Sequence, residues 1–320
     1  MKLKTYLLLG LTSLLLVGCR NTESSPNKTS QKVTVGILQY MEHDSLTAAR
    51  KGFETALKEG GYEAGKNLTI DYQNAQGDQS NLQTMSEQLV KKSDVVLAIA
   101  TPSAQSLATV STETPVLFTA VTDPLSANLV KSIKKPGGLI TGTSDQAPID
   151  KQVDLLKQAL PQAKKVGILY TSSERNSEVQ VKEAEKELKK AGYEIVKKGI
   201  SSSNDVQDAA TSLMKTSDAL FVPTDNTVAS TMTMLGQLSL DNKVPVIGGS
   251  TDMVDAGGLL TYGTNYTELG KQVGKQALKV LKGQKPATIP VEYPKKLELH
   301  VNQKQAEALG IDVSHLSLKN

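Results

Sequence analysis

The chain is 320 residues long and carries 36 basic and 33 acidic side chains, a formal charge of +3. So even a balance, spread along the length, supplies no basic footprint for nucleic acid. One cysteine excludes an intrachain disulfide, and the lack of tryptophan with only 4% aromatics argues against the stacking surface a sugar site would use.

At the start, Lys2 and Lys4 precede an uncharged, largely apolar stretch from Tyr6 to Val17, which closes in the string LVGC at Leu16 to Cys19. A short basic region, a short apolar core and small residues describe an export signal over residues 1–18, with a core too short to span a bilayer comfortably. The string resembles the bacterial lipobox, which implies acylation of Cys19 and cleavage just before it. Residues 19–31 are polar, contain a proline and show no apolar period, so they read as a solvated tether. The stretch from residue 32 onward is too long for one typical core and is expected to divide in two.

From residue 33 the chain alternates short apolar runs with amphipathic segments. VTVGILQ (33–39) leads into the helical pattern SLTAARKGFETALKEG (45–60); NLQTMSEQLVKK (81–92) precedes DVVLAIA (94–100), and TPVLFTA follows at 114–120. The apolar runs are rich in β-branched residues and nearly continuous, as strands buried on both faces are. A second half repeats these landmarks in order. VGIL recurs at 166–169, ALKEGGYE (56–63) is matched by ELKKAGYE (187–194), and SDVVLAIAT (93–101) by SDALFVPTD (217–225). TPVLFTAVTDP (114–124) is matched by VPVIGGSTDM (244–253), and GGLITGTS (137–144) by GGLLTYGTN (257–265). Strand–helix–strand units of this kind give parallel sheets with helices on both faces, so each half is expected to be a doubly wound α/β domain.

In such sheets ligands bind beyond the carboxyl ends of the strands, where loops enter helices. The candidates are therefore Gln39, Tyr40, Thr101, Ser103, Thr122 and Asp123 in the first half. In the second half they are Tyr170, Ser172, Asn176, Ser177, Thr224, Asp225, Asn226 and Asp252. A helix start at Thr101 to Ser103 suits a bound carboxylate, although Ser103 could equally cap its own helix. Asp225 and Asp252 suit an ammonium group, because a carboxylate behind an apolar run favours a charged partner. Asp123, followed by Pro124, suits a turn. Phe118 and Phe221 lie inside the apolar runs and are expected in the core.

The signal, the tether, the two halves and strings such as IATPSAQSLA, LFTAVTDPLSANLV, SSERNSEVQV and PTDNTVAS resemble the solute-binding lipoproteins of ABC importers, specifically the tryptophan-binding (TrpX-like) family. The resemblance covers nearly all of the chain after the tether. It implies a periplasmic-binding-protein-like fold of type I, with a ligand cleft between two lobes and three crossovers near residues 143–145, 263–266 and 293–297. The lobes would then be 32–144 with 266–293, and 145–265 with 294–320. It further implies a monomer held to the membrane by lipid and an amino acid as ligand. By the resemblance alone, that ligand is expected to be aromatic and foremost tryptophan, with an ABC permease and its ATPase as partners.

No nucleophile elbow, phosphate loop or dinucleotide fingerprint occurs, and the three histidines, His43, His300 and His315, lie far apart without metal-site spacing. No catalytic residue, metal or cofactor is expected. His43 belongs to a triplet, Glu42 to Asp44, that reads as a helix opening with Asp44 or Ser45 as cap. The alternative to import is a lipid-anchored receptor subunit that reports ligand occupancy to a signalling partner, since both roles need the same cleft.

Overall fold

The computed structural model of the protein describes residues 32–318; the expected signal, Cys19 and the tether lie outside the described residues. The first of two sheets contains β1 (Val33–Gln39), β2 (Leu68–Asn74), β3 (Val95–Ile99), β4 (Val116–Val121) and β5 (Ile140–Ser144). Its order is β2-β1-β3-β4-β5 and every pairing is parallel. The second contains β6 (Lys165–Thr171), β7 (Glu194–Ile200), β8 (Ala219–Phe221), β9 (Val246–Ile247), β10 (Leu260–Thr264) and β11 (Leu297–Val301), in the order β11-β10-β9-β8-β6-β7.

Alternation along each strand explains why both faces are covered. In the first sheet Val35, Ile37, Val95, Leu97 and Ile99 face α1 (Asp44–Glu59) and α10 (Tyr266–Leu281). Leu38, Val96, Ala98, Val116 and Phe118 face α2 (Gln79–Lys92) and α3 (Thr101–Val110). In the second sheet Val166, Ile168 and Phe221 pack with α4 (Ile149–Ala159), α5 (Arg175–Ala191) and α11 (Gln303–Leu309). Leu169, Leu220 and Val222 pack with α6 (Val206–Met214) and α8 (Met232–Asn242) on the other side. Phe118 and Phe221 are fully buried, as expected.

One strand departs from the parallel pattern. β11 pairs with β10 antiparallel, with Leu297 opposite Thr264 and Val301 opposite Leu260. The chain reaches the second sheet from Glu292, which bridges Thr143 on the first sheet, and therefore enters β11 at the carboxyl end of β10. It can only run back down. The two short helices that matter for the site, α7 (Asn226–Ala229) and α9 (Thr251–Asp255), follow β8 and β9 directly.

Candidate functional site

The carboxyl ends of the two sheets face each other across a cleft, closed at its base by an inner chamber. His43, Ser45 and Leu46 from α1 and the turn before it line the chamber, with Ala120 and Thr122 from the end of β4. Asn176, Thr224, Asp225, Asn226 and Ser250 face them from the second sheet, and Asp145 and Tyr266 close the floor. The space is ≈ 10 Å³, about what one water needs. Direct contacts between the opposed rims hold it shut: Ser45 Oγ lies 3.2 Å from Ser250 Oγ, His43 Nε2 lies 3.3 Å from Asn226 Oδ1, and Gln180 Nε2 donates to Thr122 Oγ1 at 3.2 Å.

The first rim is built on distorted backbone. Between Phe118 and Val121 the β4–β5 register slips, and Ala120 takes φ 56°, which turns Ala120 and Thr122 toward the chamber. Ala100, just before α3, has φ 82° and ψ 157°, a region almost reserved for glycine. Such conformations cost about 1–3 kcal/mol each and cluster where ligands bind. Neither Thr101 nor Ser103 caps α3; the hydroxyls of both are buried without a partner, and Pro102 between them lines an outer pocket of ≈ 520 Å³ at the mouth of the cleft. Tyr40 and Met41 line that pocket too, opposite Ser173, Arg175 and Ser201 to Ser203. Burial, then the Glu174 and Asp225 carboxylates, push the Tyr40 phenol up to about 12.

The second rim is a carboxylate network. Asp225 caps α7 by accepting from Val228 N at 2.9 Å, and accepts also from Thr171 Oγ1 at 2.8 Å, Ser177 Oγ at 2.7 Å and the backbone N–H of Thr171. Each of its oxygens thus takes two donors. Glu174, 1% exposed, accepts from Asn176 Nδ2, Asn226 Nδ2 and Asn226 N on one oxygen and from the N–H and hydroxyl of Thr227 on the other. Burial, and for Glu174 the neighbouring Asp225 charge, raise both carboxyls above the ordinary range.

Of the residues proposed from sequence, Thr122, Asn176, Thr224, Asp225 and Asn226 line the chamber, with Ser177 directly behind Asp225. Tyr40 lines the outer pocket, and Thr101 and Ser103 flank its Pro102. Gln39 is buried at the end of β1, donating to Met41 O at 2.8 Å with its Oε1 unpartnered. Asp123 makes a turn, accepting from Leu125 N and Ser126 N at 3.0 and 3.1 Å. Ser172 donates to Ile200 O at 3.0 Å and Tyr170 packs on the core of the second sheet, so neither lines the chamber or the outer pocket. Asp252 lies in the first turn of α9 beside the chamber, with Oδ2 unpartnered. Glu174, Gln180, Asp145, Tyr266, His43 and Ser45 contribute to the site and were not anticipated as site residues. Ser45 caps nothing and instead meets Ser250. Asp145 had a signal, because it follows β5 directly as Thr122 follows β4.

Residues 34–320 match the family model described as ABC transporter substrate binding protein. A tyrosine-binding protein of Clostridioides difficile (strain R20291) is 41% identical over 314 residues, 96% of this chain and 90% of the relative. A Streptococcus pneumoniae ABC-domain crystal structure in complex with L-Trp is 40% identical and superposes with a TM-score of 0.86, covering 89% of this chain and 97% of the other. A ligand-free, open structure of a Clostridium difficile substrate-binding protein with adhesive properties, also 40% identical, gives 0.68 over 88% and 96%. At equal identity the chain superposes more closely on the L-Trp complex than on the open structure. Two α/β lobes of the periplasmic-binding-protein type I pattern, closed on a polar cleft, carry a sequence of this kinship: the chain belongs to the ABC transporter substrate-binding protein family.

Proposed function

We propose that this protein is the extracytoplasmic solute-binding lipoprotein of an ABC importer and that its cleft captures an aromatic amino acid, tryptophan foremost, for delivery to a permease and its ATPase. The observation that carries this reading is the convergence of unpartnered buried polar atoms on the cleft from both sheets. Asp145 Oδ1 and Asn176 Oδ1 belong to residues that line the chamber from opposite sides, and Thr101 Oγ1 and Ser103 Oγ flank Pro102 of the outer pocket. A buried polar atom without a partner costs about 1–3 kcal/mol, so such a set persists where a ligand supplies the partners. The set contains donors suited to a carboxylate and acceptors suited to an ammonium. The inner chamber has space for one ammonium-sized group, and the outer pocket has room for a ring between Tyr40, Met41 and Pro102. The ligands of the two relatives, tyrosine and L-Trp, support the aromatic class.

Equilibrium dialysis of the purified protein against an equimolar pool of amino acids, sugars and polyols tests the class. Retention of an aromatic amino acid above all others is expected; retention of a sugar alone refutes the reading. Among the described residues no helix is long and apolar enough to cross a membrane. Membrane retention is assigned to two acyl chains on Cys19, since one chain alone holds only marginally. Intact-mass measurement of the native mature protein is expected to find a diacylated N-terminal cysteine; a free thiol there refutes the anchor.

A further inference from the structure

We propose that Asp145, on the crossover after β5, is the residue that takes the primary ammonium group of the ligand; this rests on the reading of the cleft as an amino-acid site. Asp145 is 3% exposed and lines the chamber. Its Oδ2 receives the phenol of Tyr266, itself buried, while Oδ1 has no partner. One carboxylate oxygen is therefore anchored and the other left open. No lysine or arginine is among the residues lining the chamber, and burial keeps the one histidine there, His43, neutral at pH 7, so a positive charge for this carboxylate has to arrive with the ligand. A space of ≈ 10 Å³ admits one water-sized group, which an ammonium is.

The other acids are less suited. Both oxygens of Asp225 are filled by two donors each, and Glu174 accepts five hydrogen bonds behind the chamber wall. Asp252 has a free oxygen but is less buried than Asp145 and is not part of the lining. Position adds a second consequence. The Asp145 N–H donates to Val121 O at 3.3 Å, and its carbonyl accepts from Thr264 Oγ1 at 3.3 Å, so it ties the first sheet to the end of β10 where the chain crosses back. A cation seated on Asp145 touches two crossovers at once.

The test is calorimetric titration of the full protein with L-tryptophan and L-tyrosine and with their deaminated counterparts, indole-3-propionate and 3-(4-hydroxyphenyl)propionate. The parent is expected to prefer the amino acid over its deaminated counterpart by at least tenfold. In Asp145→Asn that preference is expected to fall at least tenfold, chiefly through weaker amino-acid binding, whereas Asp252→Asn retains it. An Asp145→Asn variant that keeps the parent's preference overturns the assignment, as does loss of the preference in Asp252→Asn alone. Asp145→Ser, which also removes the charge, decides the matter by the same criterion should the amide variant fail to melt cooperatively. A parent that binds neither amino acid removes the amino-acid reading itself, a result distinct from a parent that binds and a variant that does not differ.

Discussion

His43 sits where a single proton changes the energy of the closed cleft. Asn226 Nδ2 is committed to Glu174, so Asn226 Oδ1 faces His43 and Nε2 of the ring is the donor. Nδ1 is buried and has no partner. Burial lowers the pKa of the ring from 6.5 to about 4, against the opposing pull of Asn226, Asp44 and Glu42. The folded value lies below the unfolded one, so the unfolded chain takes up the proton first. Stability linked to this group is then complete above pH 6.5 and is lost as pH falls toward 4, by up to roughly 3 kcal/mol. Thermal melting at pH 7 and pH 5 checks it: the parent is expected to lose more than His43→Gln on acidification, and equal losses would contradict the account. The same residues show why the site was only partly legible. That a carboxylate follows an apolar run was readable at Asp225; that four donors from Thr171, Ser177 and Val228 fill it depends on three segments meeting in space. Glu174 gave less warning still, lying in a polar string, SSERNSEVQ, whose acid had no reason to be buried until β6, β8 and α7 came together.

At the scale of elements, the crossing of α1 and α10 positions one wall and the floor of the chamber. α1 opens with His43 and Ser45 and α10 with Tyr266, and the two helices approach through glycines. A Cβ on Gly52 would lie 2.1 Å from the carbonyl oxygen of Thr267, and one on Gly270 would lie 2.0 Å from that of Ala49. Gly52→Ala is therefore expected to force the helices apart, costing about 1–3 kcal/mol or more. Urea unfolding reads this as a lower midpoint with an unchanged slope, and a midpoint equal to the parent's would show that the contact is not limiting. Strands and helices in this region were legible because an apolar run and a 3.6-residue period are local signals. The register slip at Ala120 and the reversal of β11 were not: each answers to where a neighbouring strand ends, which no local pattern records.

For the whole molecule, closure is an equilibrium between lobes that already touch through His43–Asn226, Ser45–Ser250 and Gln180–Thr122. A ligand favours this state only by interacting with it more strongly than with an open one. The internal repeat explains why the sequence foretold two lobes facing one another, since each set of landmarks ends at a sheet edge that needs the other to bury its polar groups. The cleft it creates is acidic at the base, with Asp145 and Asp225 on the chamber and Asp252 beside it, and roomier at the mouth. An α-amino acid with a large flat side chain meets both halves of that description. Isothermal titration of the purified protein with L-tryptophan and L-tyrosine tests this most directly: saturable binding of one ligand per chain is expected for at least one of them, with none for glucose or myo-inositol, and a flat titration with both amino acids alongside saturable binding of the sugar or the polyol would contradict the account.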